Sequence, residues 1–195
     1  MIEGSQVWRL RFLLLLSCLG AWAACAEVGP VAVGQPLPSA TLRALNGPPR
    51  NLEMYRGRPL IINVWASWCG PCQEEMASLE RLAWRDDGRA FAIIGISTDD
   101  DPAPALAFLK RTRATISQFI DSGRQWEGLL GASRIPLTVL VDGRGRILRR
   151  VYGSQQWDSP EILKLLNSTF GAHKLRQTRT PVFPQAKGNV QGLLR

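Results

Sequence analysis

The chain has 195 residues, 45% of them hydrophobic, and a formal net charge of +8. That length gives one domain with extensions, and that composition excludes a wholly disordered or fibrous chain. The charge is not a nucleic-acid footprint: Lys174, Arg176, Arg179, Lys187 and Arg195 lie in a terminal stretch without acidic residues, and no basic stripe interleaved with aromatics crosses the body. A solvated basic tail is the plain reading; the alternative is a weak electrostatic hold on an anionic membrane surface.

From the N-terminus, Arg9 and Arg11 precede the apolar run Phe12-Leu13-Leu14-Leu15-Leu16 and then small residues up to Ala24-Cys25-Ala26. Residues 1–26 therefore read as a signal peptide or an N-terminal anchor, and a cut after Ala26 starts the mature chain at Glu27. A third version makes Cys25 a lipid-attachment site. Every version places the domain outside the cytoplasm, in the periplasm, where disulfides persist.

Residues 28–50 are rich in Pro and Gly and read as a loop with one short strand, an edge segment around Ala40-Thr41-Leu42. Residues 51–58 turn the chain into Leu60-Ile61-Ile62-Asn63-Val64-Trp65, which is β-branched and aromatic enough for a buried strand. Trp68-Cys69-Gly70-Pro71-Cys72 follows directly, and the residues from Gln73 to Leu82 read as a helix. Phe91 to Ser97 is a second strand, apolar throughout, as a parallel strand covered on both faces requires. Asp99-Asp100-Asp101-Pro102 reads as a helix start rather than a metal site, because carboxylate ligands for hard cations usually come from several parts of a chain. Ile116 to Ile120 is a short strand and Gln125 to Leu130 a short helix. Leu137 to Val141, a turn at Asp142-Gly143-Arg144-Gly145, and Ile147 to Tyr152 form a hairpin. A closing helix runs from Ser159 to Phe170, with Asp158 or Ser159 as cap and Pro160 in its first turn. The crossover units require parallel strands and the hairpin adds an antiparallel pair. The expected fold class is α/β, a mixed central sheet with helices on both faces, over residues 27–170. Residues 171–195 form a basic tail without period, expected to be disordered.

The two cysteines sit where a strand hands over to a helix, with Cys69 at the helix N-terminus. Unpaired N–H groups and the helix dipole favour an anion there, so the Cys69 thiol should ionise more readily than usual. Two intervening residues let the second sulfur reach the first, and Pro71 suits a first turn because its missing N–H has no helical partner. A zinc site needs two more ligands, and the other candidates are Cys18, Cys25 and His173, none in the body of the domain. Haem attachment needs a His after the second Cys, where Gln73 stands. An inert disulfide closing so short a loop gives little chain-entropy benefit. Along the helix, Cys72, Met76, Leu79 and Leu82 share the buried face. Glu75, three residues after Cys72, either swings out to solvent or sits by the thiol with a raised pKa, able to pass it a proton.

This motif on a strand-to-helix turn, followed by Arg134-Ile135-Pro136 before the hairpin, resembles the thioredoxin fold. The further features Glu75-Met76, Ile94-Gly95-Ile96-Ser97-Thr98 and Val139-Leu140-Val141-Asp142-Gly143 are similar to the TlpA-like branch, extracytoplasmic thiol–disulfide oxidoreductases that include the ResA and CcmG types. The resemblance covers residues 35–170. It implies that Cys69 is the exposed attacking thiolate and Cys72 the buried resolving thiol, with Trp68, Gly70 and Pro71 supporting them. It implies that Pro136 is a cis-proline packed against the disulfide, and that the Ile135 backbone pairs with a substrate strand. Glu75 matches the acid of the branch, which favours the proton-handling reading. Asn63 stands where thioredoxin has a buried Asp. Leu137 departs from the common Thr after the cis-proline, and Ala77 from a frequent helix-kinking Pro.

The function implied is a thiol:disulfide oxidoreductase, a reductase of disulfides in envelope proteins, with cytochrome c maturation as one setting. It would use no cofactor beyond the redox-active Cys69–Cys72 disulfide, draw on a membrane electron donor, bind no nucleic acid, be able to associate with the membrane through its N-terminus and act as a monomer. Two alternatives stand beside it. A peroxiredoxin-like thiol peroxidase needs Pro-x-x-x-Thr-x-x-Cys, but Ile62 and Ala66 occupy those places before Cys69. A redox-silent binding module would leave the intact cysteine pair without a use.

Overall fold

The computed structural model describes residues 29–85 and 90–171. The expected N-terminal segment, and the tail beyond Gly171, lie outside the described residues. Among the described residues no helix is long and apolar enough to cross a membrane.

The strands are β1 (Thr41–Asn46), β2 (Arg50–Asn51), β3 (Leu60–Trp65), β4 (Ala92–Ser97), β5 (Ser117–Ile120), β6 (Leu137–Val141) and β7 (Ile147–Tyr152). They form one sheet in the order β2-β1-β5-β4-β3-β6-β7. β3 pairs in parallel with β4, and β4 with β5, as the crossover connections require. β3 pairs antiparallel with β6, and β6 with β7, closing the expected hairpin. The loop expected over residues 28–50 is more ordered than its composition suggests. β1 and β2 form a small hairpin, and β1 pairs antiparallel with β5, so β2 and not β1 is the sheet edge. Short strands flanked by Pro and Gly carry too little periodicity to be read from sequence.

The helices are α1 (Gly70–Trp84), α2 (Pro102–Thr112), α3 (Gln125–Leu130) and α4 (Pro160–Phe170). A turn of 3-10 helix, Leu52–Tyr55, leads into β3. Ser159 caps α4 by accepting the Ile162 N–H, with Pro160 in the first turn. The strand alternation sorts the core onto two faces. Ile61 and Trp65 of β3 join Met76, Leu79 and Leu82 of α1, Phe108 of α2 and Phe170 of α4 on one face. Leu60, Ile62 and Val64 join Trp126 and Leu130 of α3, with Leu37, Leu42 and Leu52 from the N-terminal segment, on the other. Helices thus cover both faces of a mixed sheet, and β3, flanked on both edges, aims its C-terminal end at the cysteine pair.

Candidate active site

β3 ends at Trp65, and four residues later Cys69 caps α1. Its Sγ accepts the Cys72 N–H at 3.3 Å, one of the helix's otherwise unpaired donors. Pro71 lies in the first turn, where no N–H is missed. Cys69 and Cys72 are joined by a disulfide, with Cα atoms 5.3 Å apart. Cys72 is fully buried, as expected. Cys69 is not freely exposed: with its sulfur joined to Cys72 and capped onto the helix, it keeps only 6% of its surface in solvent. Trp68 is 71% exposed and presents the outer wall of the site.

The approach to Cys69 is pinned from β4. The Asp99 carboxylate accepts from the Ser67 N–H at 2.9 Å, the Ser67 hydroxyl at 2.7 Å and the Ser97 hydroxyl at 2.6 Å. Gln73 donates to the Ser67 carbonyl from the helix side. The acidic triplet expected as a helix start therefore divides its work. Asp101 is the cap of α2 and accepts the Ala103 N–H, whereas Asp99 is buried and serves the active-site turn.

Glu75 does not swing out to solvent. It is fully buried one helical turn past Cys72. Its Oε1 accepts from Asn63 Nδ2 at 2.7 Å, and its Oε2 from the Gln155 N–H at 3.0 Å and Trp157 Nε1 at 3.1 Å. Burial pushes its pKa up, while the hydrogen bonds from Trp157, Gln155 and Asn63 pull it back without cancelling the rise. Asn63, also fully buried, donates to Thr138 Oγ1 as well, at 3.1 Å.

The Ile135–Pro136 peptide is cis. Pro136 is buried, and Ile135 packs against the cluster that contains Cys69 and Cys72. The Pro136 carbonyl is taken by the Gly153 N–H at 2.9 Å. The main chain of Ile135 has no hydrogen-bond partner among the described residues. Beside it runs a groove of about 360 Å³ lined by Trp68, Thr98, Asp100, Arg134 and Ile135 among others.

The structure gathers Trp68, Cys69, Gly70, Pro71, Cys72, Glu75 and Asn63 at the junction of β3 and α1, with Ile135 and Pro136 entering β6. The sequence reading missed Gln155, Trp157, Asp99 and Thr138. Gln155 and Trp157 reach Glu75 across 80 and 82 residues of chain, and nothing local marks them as its partners.

The Redoxin family pattern matches residues 32–166. The thiol:disulfide interchange protein DsbE of Pseudomonas aeruginosa is 31% identical over 137 residues, 69% of this chain and 74% of that protein. The thiol-disulfide oxidoreductase ResA of Geobacillus thermodenitrificans is 29% identical over 145 residues, 73% of this chain and 83% of that protein. The structure named as a DsbE thiol:disulfide interchange protein from Chlorobium tepidum superposes with a TM-score of 0.65 at 23% identity, over 72% of this chain and 99% of that one, and shares the thioredoxin-like fold. The chain belongs to the Redoxin family and is a thiol:disulfide oxidoreductase of the DsbE and ResA type.

Proposed function

We propose that the protein is a reductase of disulfides in extracytoplasmic partner proteins, with the maturation of c-type cytochromes as one setting for such a substrate. The observation that carries this reading is the seat of Cys69, at the cap of α1 with its Sγ on the Cys72 N–H and Gly70-Pro71 between the sulfurs. In the reduced protein that donor and the helix end favour a thiolate on Cys69.

The Cys69 thiolate attacks one sulfur of the partner's disulfide. That bond breaks, a mixed disulfide forms, and the released sulfur takes a proton. Cys72 then gives its proton to Glu75, and its thiolate attacks Cys69 Sγ. The Cys69–Cys72 bond forms, the mixed disulfide breaks, and the partner's second sulfur leaves as a thiolate that takes up a proton equivalent to the one passed to Glu75, so the partner departs as a dithiol. The partner gains two electrons and the enzyme loses two. A membrane electron donor returns them, because a dithiol outside the cytoplasm otherwise stays oxidised. Ile135, whose main chain has no hydrogen-bond partner among the described residues, offers an edge for an extended substrate segment, and Pro136 sets that edge beside the sulfurs. The redox couple is the only group the cycle needs, so no added cofactor enters it. The N-terminal pattern at residues 1–26 supports a periplasmic protein, held to the membrane only through that segment, and a monomer suffices for the cycle.

The test is the equilibrium reduction potential of the Cys69–Cys72 couple in graded thiol/disulfide buffers. A value near or below about −250 mV, at the thioredoxin end of the scale, fits a reductase. A value near about −120 mV, at the oxidising end, reverses the direction and overturns the reading.

A further inference from the structure

Glu75 has two oxygens in unlike surroundings. Oε2 faces two groups that can only donate, the Trp157 indole N–H at 3.1 Å and the Gln155 main-chain N–H at 3.0 Å. A proton on Oε2 would meet both donors head on. Among the described residues Oε1 accepts a hydrogen bond only from Asn63, whose Nδ2 lies 2.7 Å away. The other end of that amide, Oδ1, is buried and without a partner among the described residues. Turned over, the amide offers Oδ1 to a protonated Oε1. Thr138, bonded to the same amide at 3.1 Å, has a hydroxyl that serves equally as acceptor or donor. The Oε1 side accommodates both protonation states and the Oε2 side only one.

We propose that Trp157 is a positioning residue for the proton transfer: with the Gln155 amide it holds Oε2 and leaves Oε1 as the oxygen that exchanges a proton with Cys72. The inference rests on the role given above to Glu75. The loop between β7 and α4 is built for this task. Trp157 is itself fully buried. Its main-chain N–H donates to Ser78 Oγ at 3.0 Å, and that hydroxyl lies 2.7 Å from the Glu75 carbonyl oxygen and 3.3 Å from that of Gln155. The loop is thus pinned to α1 by main chain and side chain at once. The groups bonded to the Glu75 carboxyl are Asn63 from β3, and Gln155 and Trp157 from the loop, with Cys72 three residues earlier on the same helix; no charged side chain is among the causes of its shift. Burial raises its pKa, and the neutral donors Trp157, Gln155 and Asn63 pull it back. Removing the Trp157 donor weakens the carboxylate form more than the protonated form, whose Oε2 still accepts from it as a carbonyl oxygen.

The experiment mixes the reduced full-length protein with 5,5′-dithiobis(2-nitrobenzoate) in a stopped-flow instrument across pH. The first release of thionitrobenzoate reports attack by Cys69, and the second reports resolution by Cys72. The acid limb of the second phase is compared in wild type, Trp157→Phe, Glu75→Gln, and a protein carrying benzothienylalanine at position 157, which keeps the indole shape without the N–H. Infrared difference spectra of the Glu75 carboxyl give the same ionisation directly. The acid limb and the infrared transition are expected to move up together by about one pH unit or more when the N–H is removed. If Trp157→Phe does not fold, the benzothienylalanine protein decides. If Glu75→Gln abolishes the limb but removal of the N–H leaves it unmoved, Trp157 has no positioning role and the inference falls alone. If Glu75→Gln keeps the wild-type limb, the proposed role of Glu75 falls first, and the inference with it.

Discussion

Asp99→Ala tests whether the active-site turn is held from β4. The Asp99 side chain is 4% exposed and accepts three hydrogen bonds, from Ser67 N, Ser67 Oγ and Ser97 Oγ. Each bond to a charged acceptor contributes about 1.5–3 kcal/mol. The three share one carboxylate and do not add fully, and removing a buried charge returns part of its desolvation cost. The expected net loss is about 3–4 kcal/mol, near 10 °C in Tm for a domain of this size. Asp99→Asn keeps one acceptor oxygen and should lose about half as much. Because Ser67 lies two residues before Cys69, the Ala variant should also slow the first phase of thionitrobenzoate release. Urea unfolding of the oxidised protein, with the stopped-flow trace beside it, gives both quantities. An Asp99→Ala protein within about 1 kcal/mol of wild type would refute the claim that this carboxylate holds the turn.

Three further outcomes are expected. In Gly95→Ala, the new Cβ would sit 1.9 Å from Gln118 Oε1, the acceptor of the buried Trp65 Nε1–H at 2.9 Å; displacing it should cost about 3 kcal/mol in urea unfolding, and a neutral result would show that Gln118 moves aside freely. Glu75→Gln reads the pH dependence of stability. Burial first, then partial relief from Trp157, Gln155 and Asn63, leaves the Glu75 pKa raised. Its contribution is therefore fully present below the ordinary carboxyl value and lost as pH rises through the raised one. The variant lacks that loss, so the difference between the two urea midpoints should shift in its favour from pH 4 to pH 8; a flat difference would contradict the raised pKa. Trp68 is 71% exposed, so Trp68→Ala should change stability by less than about 0.5 kcal/mol. Its reduction of insulin should fall about tenfold while its reaction with the small aromatic disulfide holds, and an equal fall with both would place Trp68 in the chemistry rather than in substrate contact.

The strands and helices around the cysteines were legible because their signals are local. Leu60 to Trp65 is an unbroken apolar run, Pro71 and Pro160 mark first turns, and the Asp142 turn separates two apolar stretches. The pair at Cys69 and Cys72, and the buried face through Met76 and Leu79, follow from spacing alone. The fate of Glu75 does not. Helical spacing puts it near Cys72, but whether it turns inward depends on donors that the fold brings from β3 and from the loop before α4. The same limit hid Asp99 among three consecutive aspartates with different work, and hid Thr138, whose only signal is its register opposite Asn63 across β3 and β6. The N-terminal hairpin was missed for another reason. β2 is two residues long, too short for periodicity to show.

The choice of residue at position 63 follows from the choice at position 75. Asn63 Nδ2 lies 2.7 Å from Glu75 Oε1, and both side chains are fully buried. Two carboxyls at that separation cannot both ionise, so an acid on each would titrate as a coupled pair with one proton held far up the scale. On the role proposed for Glu75, such a pair would remove the acceptor from Cys72 over the pH range where a thiol exchanges. An amide avoids this, since it donates to a carboxylate and, reversed, accepts from a carboxyl. With the acid carried on the helix beside Cys72, the strand position calls for a neutral group that can bond either form. Asn meets that requirement, and Asp does not. On the role proposed for Glu75, the absence of an aspartate from β3 is therefore no loss of proton chemistry: the acid beside Cys72 is carried on α1 instead.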